Sequence, residues 1–598
     1  MSTADGVLRV GNCSGFYGDR LSAMREMLEG GELDVLTGDY LAELTMLILG
    51  RDKMKDPTLG YARTFAKQAA DCLGLALERG VKIVANAGGL NPAGLVDKLR
   101  EIAQAQGLDP QIAYVQGDDL MPRVKELGIE NALTANAYLG AFGIAAALDR
   151  GADVVVTGRV TDASLVVGPA ASHFGWSPAD YDALAGAMVA GHIIECGAQA
   201  TGGNFSGFRS FKPDTRPLGF PIAEVAADGS SVITKHAGTG GVVTTDTVTA
   251  QLMYEIGGPT YLGPDVSAHL DTIELAEEGD DRVRVSGVRG EAPPAQLKVC
   301  VNELGGFRNT VEFVLVGLDI DAKADWVRMQ MEAALSKNPP GSVEWTLART
   351  DRDDASTEEA ASCRLRCSVK DGDANVVGKH FTAAAVELGL ASYPGFTLTA
   401  PPAPASPYGV YRAEYVDRAA VEHTVIHADG RAEVIPLGEA AAGAGGAGAE
   451  GPDTGSPEMS AAEAEAVRSD VPVDEVAQQA PPDKVTRRLP LGTFVHARSG
   501  DKGGDANIGL WVDRSTHAGA RIAWLTKFVT PERIRDLLPE AADLPVEVYA
   551  LPNLGAVNVV IRGLLGQGVA ASTRFDPQAK ALGEWLRSRH VSITEDLL

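Results

Sequence analysis

The first third of the chain alternates short apolar runs with stretches of helical periodicity. Leu8–Cys13, Leu33–Leu36, Val81–Ala85, Ile112–Val115 and Ala152–Thr157 read as strands, with a helix at about Ala93–Ala105. The strands are apolar almost throughout, not at every second position. Such strands are buried on both faces, as in a parallel sheet with crossover helices. Glycine and polar residues gather just after them, and in open α/β sheets the ligand crevice lies outside the carboxyl ends of the strands. Asn12, Asp19, Asp39, Asn86, Asn91, Asp118, Arg159 and Asp162 are therefore expected along one edge of the body.

From about 220 to 435 strand-like runs dominate: Val232–Lys235, Val283–Val288, Leu297–Val301, Val311–Val316 and Cys363–Val369. Helical patterns persist at Ala322–Ser336 and Thr382–Leu390. The last stretch repeats this mixture compactly. Strands are predicted at Thr493–Ala497, Ile508–Val512, Ile522–Leu525, Val546–Leu551 and Asn558–Ile561, and helices at Pro531–Leu538 and Pro577–Arg589. Thr530 is the N-cap of the first helix, with Pro531 at N1. The expected fold class is α/β: a large N-terminal body with a mainly parallel sheet and an α+β second half, plus a small C-terminal α+β domain. The expected domains are 1–435, with a sub-boundary near 220, then a linker at 436–487 and a small domain at 488–598.

Composition marks the linker. Ala, Gly, Pro, Glu and Asp dominate it, and between Arg431 and Lys484 stand eleven acidic residues and one basic, Arg468. Such a segment buries too little apolar area to offset ordering entropy, so it is expected to be disordered, with at most a short helix at Ala461–Arg468. It carries about -10 of the net charge of -27. That charge argues against nucleic acid or an anionic membrane as partner, but not against an anionic small molecule held by backbone N–H groups. Six sparse cysteines make no disulfide framework, and there is no signal peptide or long apolar span, so a cytoplasmic location is expected.

Four clusters hold candidate chemistry in the body. Thr157–Ser164 ends a strand with Arg159 and Asp162, a carboxylate- or phosphate-holding Arg beside an orienting Asp. His192 and Glu195 share one helix face at i,i+3 and suit acid–base work; too few neighbours stand at ligand spacing for a metal, and none is assigned. Thr201–Phe208 brings Gly202, Gly203 and Asn204 into a loop that lets the backbone approach a ligand. Lys235–Gly241 joins Lys235 and His236 to Gly238, Gly240 and Gly241 before a helix capped by Thr245 or Asp246, the strongest single candidate element. The rival reading of each is structural: a closed turn, a polar helix face or a capped carbonyl.

In the small domain, Arg498–Asn507 is ten small or polar residues long, more than a hairpin turn needs, and reads as a binding loop with Arg498 and Lys502. Asn553 and Asn558 lie on a turn that would face it. Cys363 and Cys367 alternate on a strand and read as core packing.

The segments GNCSGFYGDR, LTGDYLAELTM, NAGGLNP, TGRVTDASLVVGP, GHIIECGAQATGGNFSGF and KHAGTGGVVTTDTVTAQLMYEI resemble the acyclic terpene utilisation (AtuA-like) family. RSGDKGGDANIGLW is similar to that family's C-terminal ferredoxin-like domain. The resemblance implies breakdown of citronellol- or geraniol-type compounds through branched acyl-CoA thioesters. It carries over no catalytic residues. The expected function is a catabolic enzyme acting on a carboxylate or acyl-CoA by hydration/elimination or carbon–carbon lyase chemistry. His236, Glu195 or Asp162 would move protons, and Arg159 and Lys235 would bind carboxylate or a developing enolate. No resident cofactor is assigned; the coenzyme A portion of the substrate would lie on Gly202, Gly203, Asn204, Gly238, Gly240, Gly241, Arg498 and Lys502. The alternative is a non-catalytic partner subunit of a catabolic complex. A homo-oligomer is expected.

Overall fold

The computed structural model describes residues 6–211, 215–436, 438–440, 485–513 and 517–598. The expected linker, with its helix at Ala461–Arg468, lies almost wholly outside them. Two compact units are present. The first joins 1–301, 412–566 and 578–598; the second joins 302–411 and 567–577.

The first unit is built on an eleven-stranded mixed sheet whose centre is parallel. In spatial order the parallel strands are Leu8–Asn12, Val35–Gly38, Lys82–Ala85, Val154–Thr157 and Ile112–Gln116. Antiparallel strands extend both flanks, from Pro221–Val225 outward on one side and from Thr424–Ile426 outward on the other. The centre reads as continuous hydrophobic runs because both faces are covered. Ile83, Val154 and Val156 enter one core with Phe65, Leu73 and Leu95. Val84 and Val155 enter the opposite core with Ile144, Val166 and Val189. A polar residue at either parity would be desolvated.

Local signals set the helices. Pro92–Ala105 begins where the Asn91 side chain accepts from Gly94 N–H at 3.0 Å, with Pro92 at N1. Thr245–Leu252 is capped by Thr244, one residue earlier than expected, in a reciprocal box with Thr247. Tyr181–Ile194 is apolar on every face and buried continuously from Leu184 to Ile194. Its last turn carries His192 into the interior.

The small domain has a four-stranded antiparallel sheet in the order Val495–Lys502, Asp505–Val512, Ala556–Ile561, Val546–Leu551. Two expectations fail here. Ile522–Leu525 is not a strand but part of the helix Ala518–Phe528, where Trp524 and Phe528 stack at i,i+4 with centroids 4.5 Å apart. A four-residue apolar run does not separate the two periods. Arg498–Asn507 is not a loop: it is the facing halves of two strands, with Gly500 paired to Asn507, and only Gly503 and Gly504 turn.

The second unit pairs Ser342–Ala348, Ser362–Asp371 and the far end of Gln296–Val316, covered by the helices Ile320–Leu335 and Phe381–Glu387. Phe313, Leu365, Phe381 and Met331 form its core, and Cys363 and Cys367 both lie inside it. Among the described residues no helix is long and apolar enough to cross a membrane.

Candidate active site

Parallel strands leave their backbone groups unpaired at the carboxyl ends, and polar side chains take them over. Asn86 Nδ2 donates to Asp39 Oδ1 at 2.6 Å, while Asn86 Oδ1 accepts from Tyr40 N–H at 2.7 Å. Asp118 Oδ2 accepts from Arg159 N–H and from Asn136 Nδ2, both at 2.8 Å. These bonds fix the turn that aims Arg159. Its Nη1 donates to Leu41 O at 3.0 Å and stands 3.2 Å from Asp162 Oδ1. Its guanidinium lies over the Tyr138 ring, 4.3 Å from the centroid, and Tyr138 Oη donates to Glu43 Oε1 at 3.1 Å. Lys298 approaches the same ring at 5.5 Å.

His192 and Glu195 enter from the end of the buried helix. His192 Nδ1 is 3.2 Å from Glu195 Oε1, and Asn12 Nδ2 donates to Glu195 O at 3.3 Å. The Tyr261 ring lies against the imidazole, with centroids 4.8 Å apart.

The small-domain hairpin covers this edge. Arg498 stacks on the Tyr254 ring at 4.1 Å, and Lys502 Nζ donates to Glu255 O at 3.3 Å and lies 5.8 Å from the Tyr261 centroid. Asn507 ties the hairpin down: its Oδ1 accepts from Glu255 N–H at 2.8 Å, and its Nδ2 donates to Met253 O at 3.1 Å and Asn558 Oδ1 at 2.6 Å. Glycine permits the approach, since a Cβ on Gly500 would fall 2.4 Å from the Tyr254 ring and one on Gly509 2.3 Å from Met253 Cβ. Trp511 stacks between body and hairpin, near Phe205 and His496.

The electrostatics are those of a buried polar cluster. Burial, then Asp162 and Glu255, push the Glu195 carboxyl well above the usual carboxylate range. Burial, then Asp162 and Glu195, do the same to Asp39, and burial, then Glu255 and Glu43, to Asp501. Burial also raises Asp162 and Glu255, although 28% of the Asp162 side chain is accessible and its rise counts for less. Glu43 goes the other way: burial opposes ionisation, but Lys298 and Arg159 outweigh it. Burial pulls His192 down to about 4. A carboxyl that keeps its proton and an imidazole that stays neutral therefore share one hydrogen bond, an arrangement suited to passing a proton. Several buried polar atoms here have no protein partner: Arg159 Nε, Glu195 Oε2, Arg498 Nε and Nη2, and Asp501 Oδ1. Orphans of this kind are uncommon in folded proteins and call for an explanation.

The structure thus brings together Asp39, Arg159, Asp162, His192, Glu195, Arg498 and Lys502, residues that lie up to 463 positions apart. It does not bring His236 and Lys235 to them. His236 Nε2 is bonded to Met27 O at 2.9 Å with its ring against Gly30 and Gly31, and Lys235 is ion-paired with Asp281 at 3.0 Å. Both act on the outer antiparallel flank. The glycines expected to receive a ligand meet their own chain instead. A Cβ on Gly240 would strike Arg216 O and Pro217 O, one on Gly241 Thr201 O, one on Gly203 Ala198 O, and one on Gly202 the Phe211 ring. Gly238 has open space and φ 79°. Asn204 reaches the chamber only by its carbonyl, 3.4 Å from Arg498 Nη1. Asn91 is a helix cap, and Asp19 accepts from Gly15 N–H at 2.9 Å to close its own turn. Sequence reasoning did not single out Glu43, Tyr138, Tyr254, Glu255, Tyr261 or Lys298. Glu255 has φ 55°, a conformation that no local motif announces. A separate cavity lined by Phe142, Asp265, Arg418 and His423 holds none of these residues.

No curated protein and no solved structure matches the chain. The model of the AtuA ferredoxin-like domain matches residues 489–592, which supply Arg498, Asp501, Lys502 and Asn507. The model of the acyclic terpene utilisation family protein AtuA matches residues 8–427, which supply every other member of the chamber from Asp39 to Lys298. With both halves of its site inside those two matches, the chain belongs to the AtuA family of acyclic terpene utilisation proteins.

Proposed function

We propose that this protein is a catabolic enzyme of acyclic terpene or branched-chain acid breakdown, moving a proton at the carbon next to the carbonyl of a carboxylate or acyl-CoA thioester. The observation that carries the reading is the His192–Glu195 pair, buried beside Arg159 at the strand ends. Hydration adds the proton of water to Cα and its hydroxyl to Cβ; elimination reverses this, and lyase cleavage leaves a carbanion at Cα that must be protonated. Each route passes through negative charge on the carbonyl oxygen, and Arg159 supplies a preorganised cation for it. Glu195, held in its acid form, delivers the proton to Cα; in the reverse direction its proton first passes to neutral His192, and the carboxylate so formed receives the Cα proton. The coenzyme A portion remains the candidate for the large non-reacting part of the substrate.

The test is exchange of substrate Cα hydrogens in D2O, read by mass spectrometry with branched acyl-CoA thioesters and their free acids. Wild type and His236→Ala exchange at the same rate, while Glu195→Gln loses at least a hundredfold, within the usual span of general acid–base catalysis. Exchange that survives Glu195→Gln and dies with His236→Ala returns the chemistry to the outer flank.

A further inference from the structure

Arg498 is 4% exposed, and its guanidinium is held on two sides. The face lies on Tyr254, 4.1 Å from the ring centroid, and Nη1 points to Asn204 O at 3.4 Å. The remaining edge, Nε with Nη2, has no protein partner. Those two N–H groups lie parallel on one side of a guanidinium and are the pair that grips a carboxylate with two hydrogen bonds. A planar ring stacked on an aromatic face cannot turn away to find other acceptors, so the edge is preorganised. Lys502 lies on the same strand face four residues on, adding positive charge beside it.

The geometry points to Arg498 as a carboxylate subsite, so that the preferred substrate bears a free carboxylate in addition to the acyl group that reacts. This rests on the reading above and sharpens it: the class becomes half-thioesters of dicarboxylic acids, and the small domain is the part that selects them. Such a substrate has to come from a reaction that adds a carboxyl group to an acyl chain or oxidises its far end. The assignment differs from the role given to Arg159, which faces the reacting carbonyl from the body.

The test uses two pairs of probes that differ only by carboxylate against methyl: glutaryl-CoA with valeryl-CoA, and glutarate with valerate. Dissociation constants are measured by calorimetry on the full chain, wild type and Arg498→Lys, which keeps the charge and loses the fork. Wild type binds the carboxylate member at least tenfold more tightly in one pair or both. Arg498→Lys reduces that ratio at least fivefold while the methyl member and the melting temperature stay as they were. A ratio near one in both pairs, or a ratio that Arg498→Lys leaves intact, overturns the subsite. If Arg498→Lys unfolds the chain, Tyr254→Leu, which removes the stacking face along with the hydroxyl bonded to Glu255, gives the same readout, with Tyr254→Phe, which removes the hydroxyl alone, as its control. Discrimination between glutarate and valerate with no binding of either thioester keeps the subsite and sinks the acyl-CoA reading instead.

Discussion

Asn507→Ala tests the claim that the small domain is a fixed wall of the chamber. Asn507 is 1% exposed and binds Glu255 N–H, Met253 O and Asn558 Oδ1. Alanine removes all three bonds and leaves one backbone donor and one backbone acceptor without a partner at a buried junction. Each orphan costs roughly 1–3 kcal/mol, and the substitution as a whole about 3 kcal/mol, given that the separated surfaces regain water. At about 1.4 kcal/mol per tenfold, the population with the hairpin lifted rises on the order of a hundredfold. Native-state hydrogen exchange followed by mass spectrometry reads this at the Glu255 amide and at Asp505–Val512. Protection there falls by that factor, while Val84 and Val155, in the centre of the parallel sheet, keep theirs. Equal loss at all sites means global destabilisation and not release of the domain. Unchanged protection at Glu255 refutes the reasoning, because its amide has its bond to Asn507 only when the hairpin is down.

Gly500→Ala forces a Cβ to 2.4 Å from the Tyr254 ring, so it loosens the same junction by roughly 1–3 kcal/mol and weakens acyl-CoA binding, with the circular dichroism unchanged. Asn553, which donates to Leu270 O and Ile273 O from a part-exposed position, matters less: Asn553→Ala lowers protection at Glu255 by under tenfold, and a larger loss places the main anchor there. Burial pushes Asp118 up to about 6 from the ordinary 3.8. Its folded pKa is raised, so its contribution is present below about 4 and lost as pH rises through about 6, a change of about 3 kcal/mol. Urea unfolding at pH 4 and pH 7 therefore shows Asp118→Asn gaining on wild type as pH rises, and a constant gap contradicts the shift. His192 has the opposite sign: lowered to about 4, it favours the fold above about 6.5 and loses that contribution as pH falls through about 4.

The body was legible in the sequence because two-sided burial writes itself as unbroken apolar strands, and the polar residues after them mark the sheet edge. Arg159 and Asp162 were visible for that reason, and the His192–Glu195 pair by its i,i+3 spacing on a helix. The outer antiparallel strands add to a parallel centre by pairing alone, so the mixed sheet was less plain. The loop Lys235–Gly241 misled because glycine spacing looks alike whether the close neighbour is a ligand or, as for Gly240, another backbone. The polar run Arg498–Asn507 had the right residues and the wrong shape. Arg498, Lys502 and Asn507 are polar because they meet the body, while Ser499 and Asp505 bond within the small domain, and periodicity carries neither fact. Glu43, Tyr138, Glu255 and Lys298 stand alone in the sequence, and only the fold puts them side by side.

The most direct measurement is a crystal structure of the full chain with glutaryl-CoA bound. The account predicts the thioester carbonyl beside Arg159 and Glu195, with the free carboxylate on Nε and Nη2 of Arg498. An acyl group lodged instead against Lys235, His236 and Gly238 would contradict it.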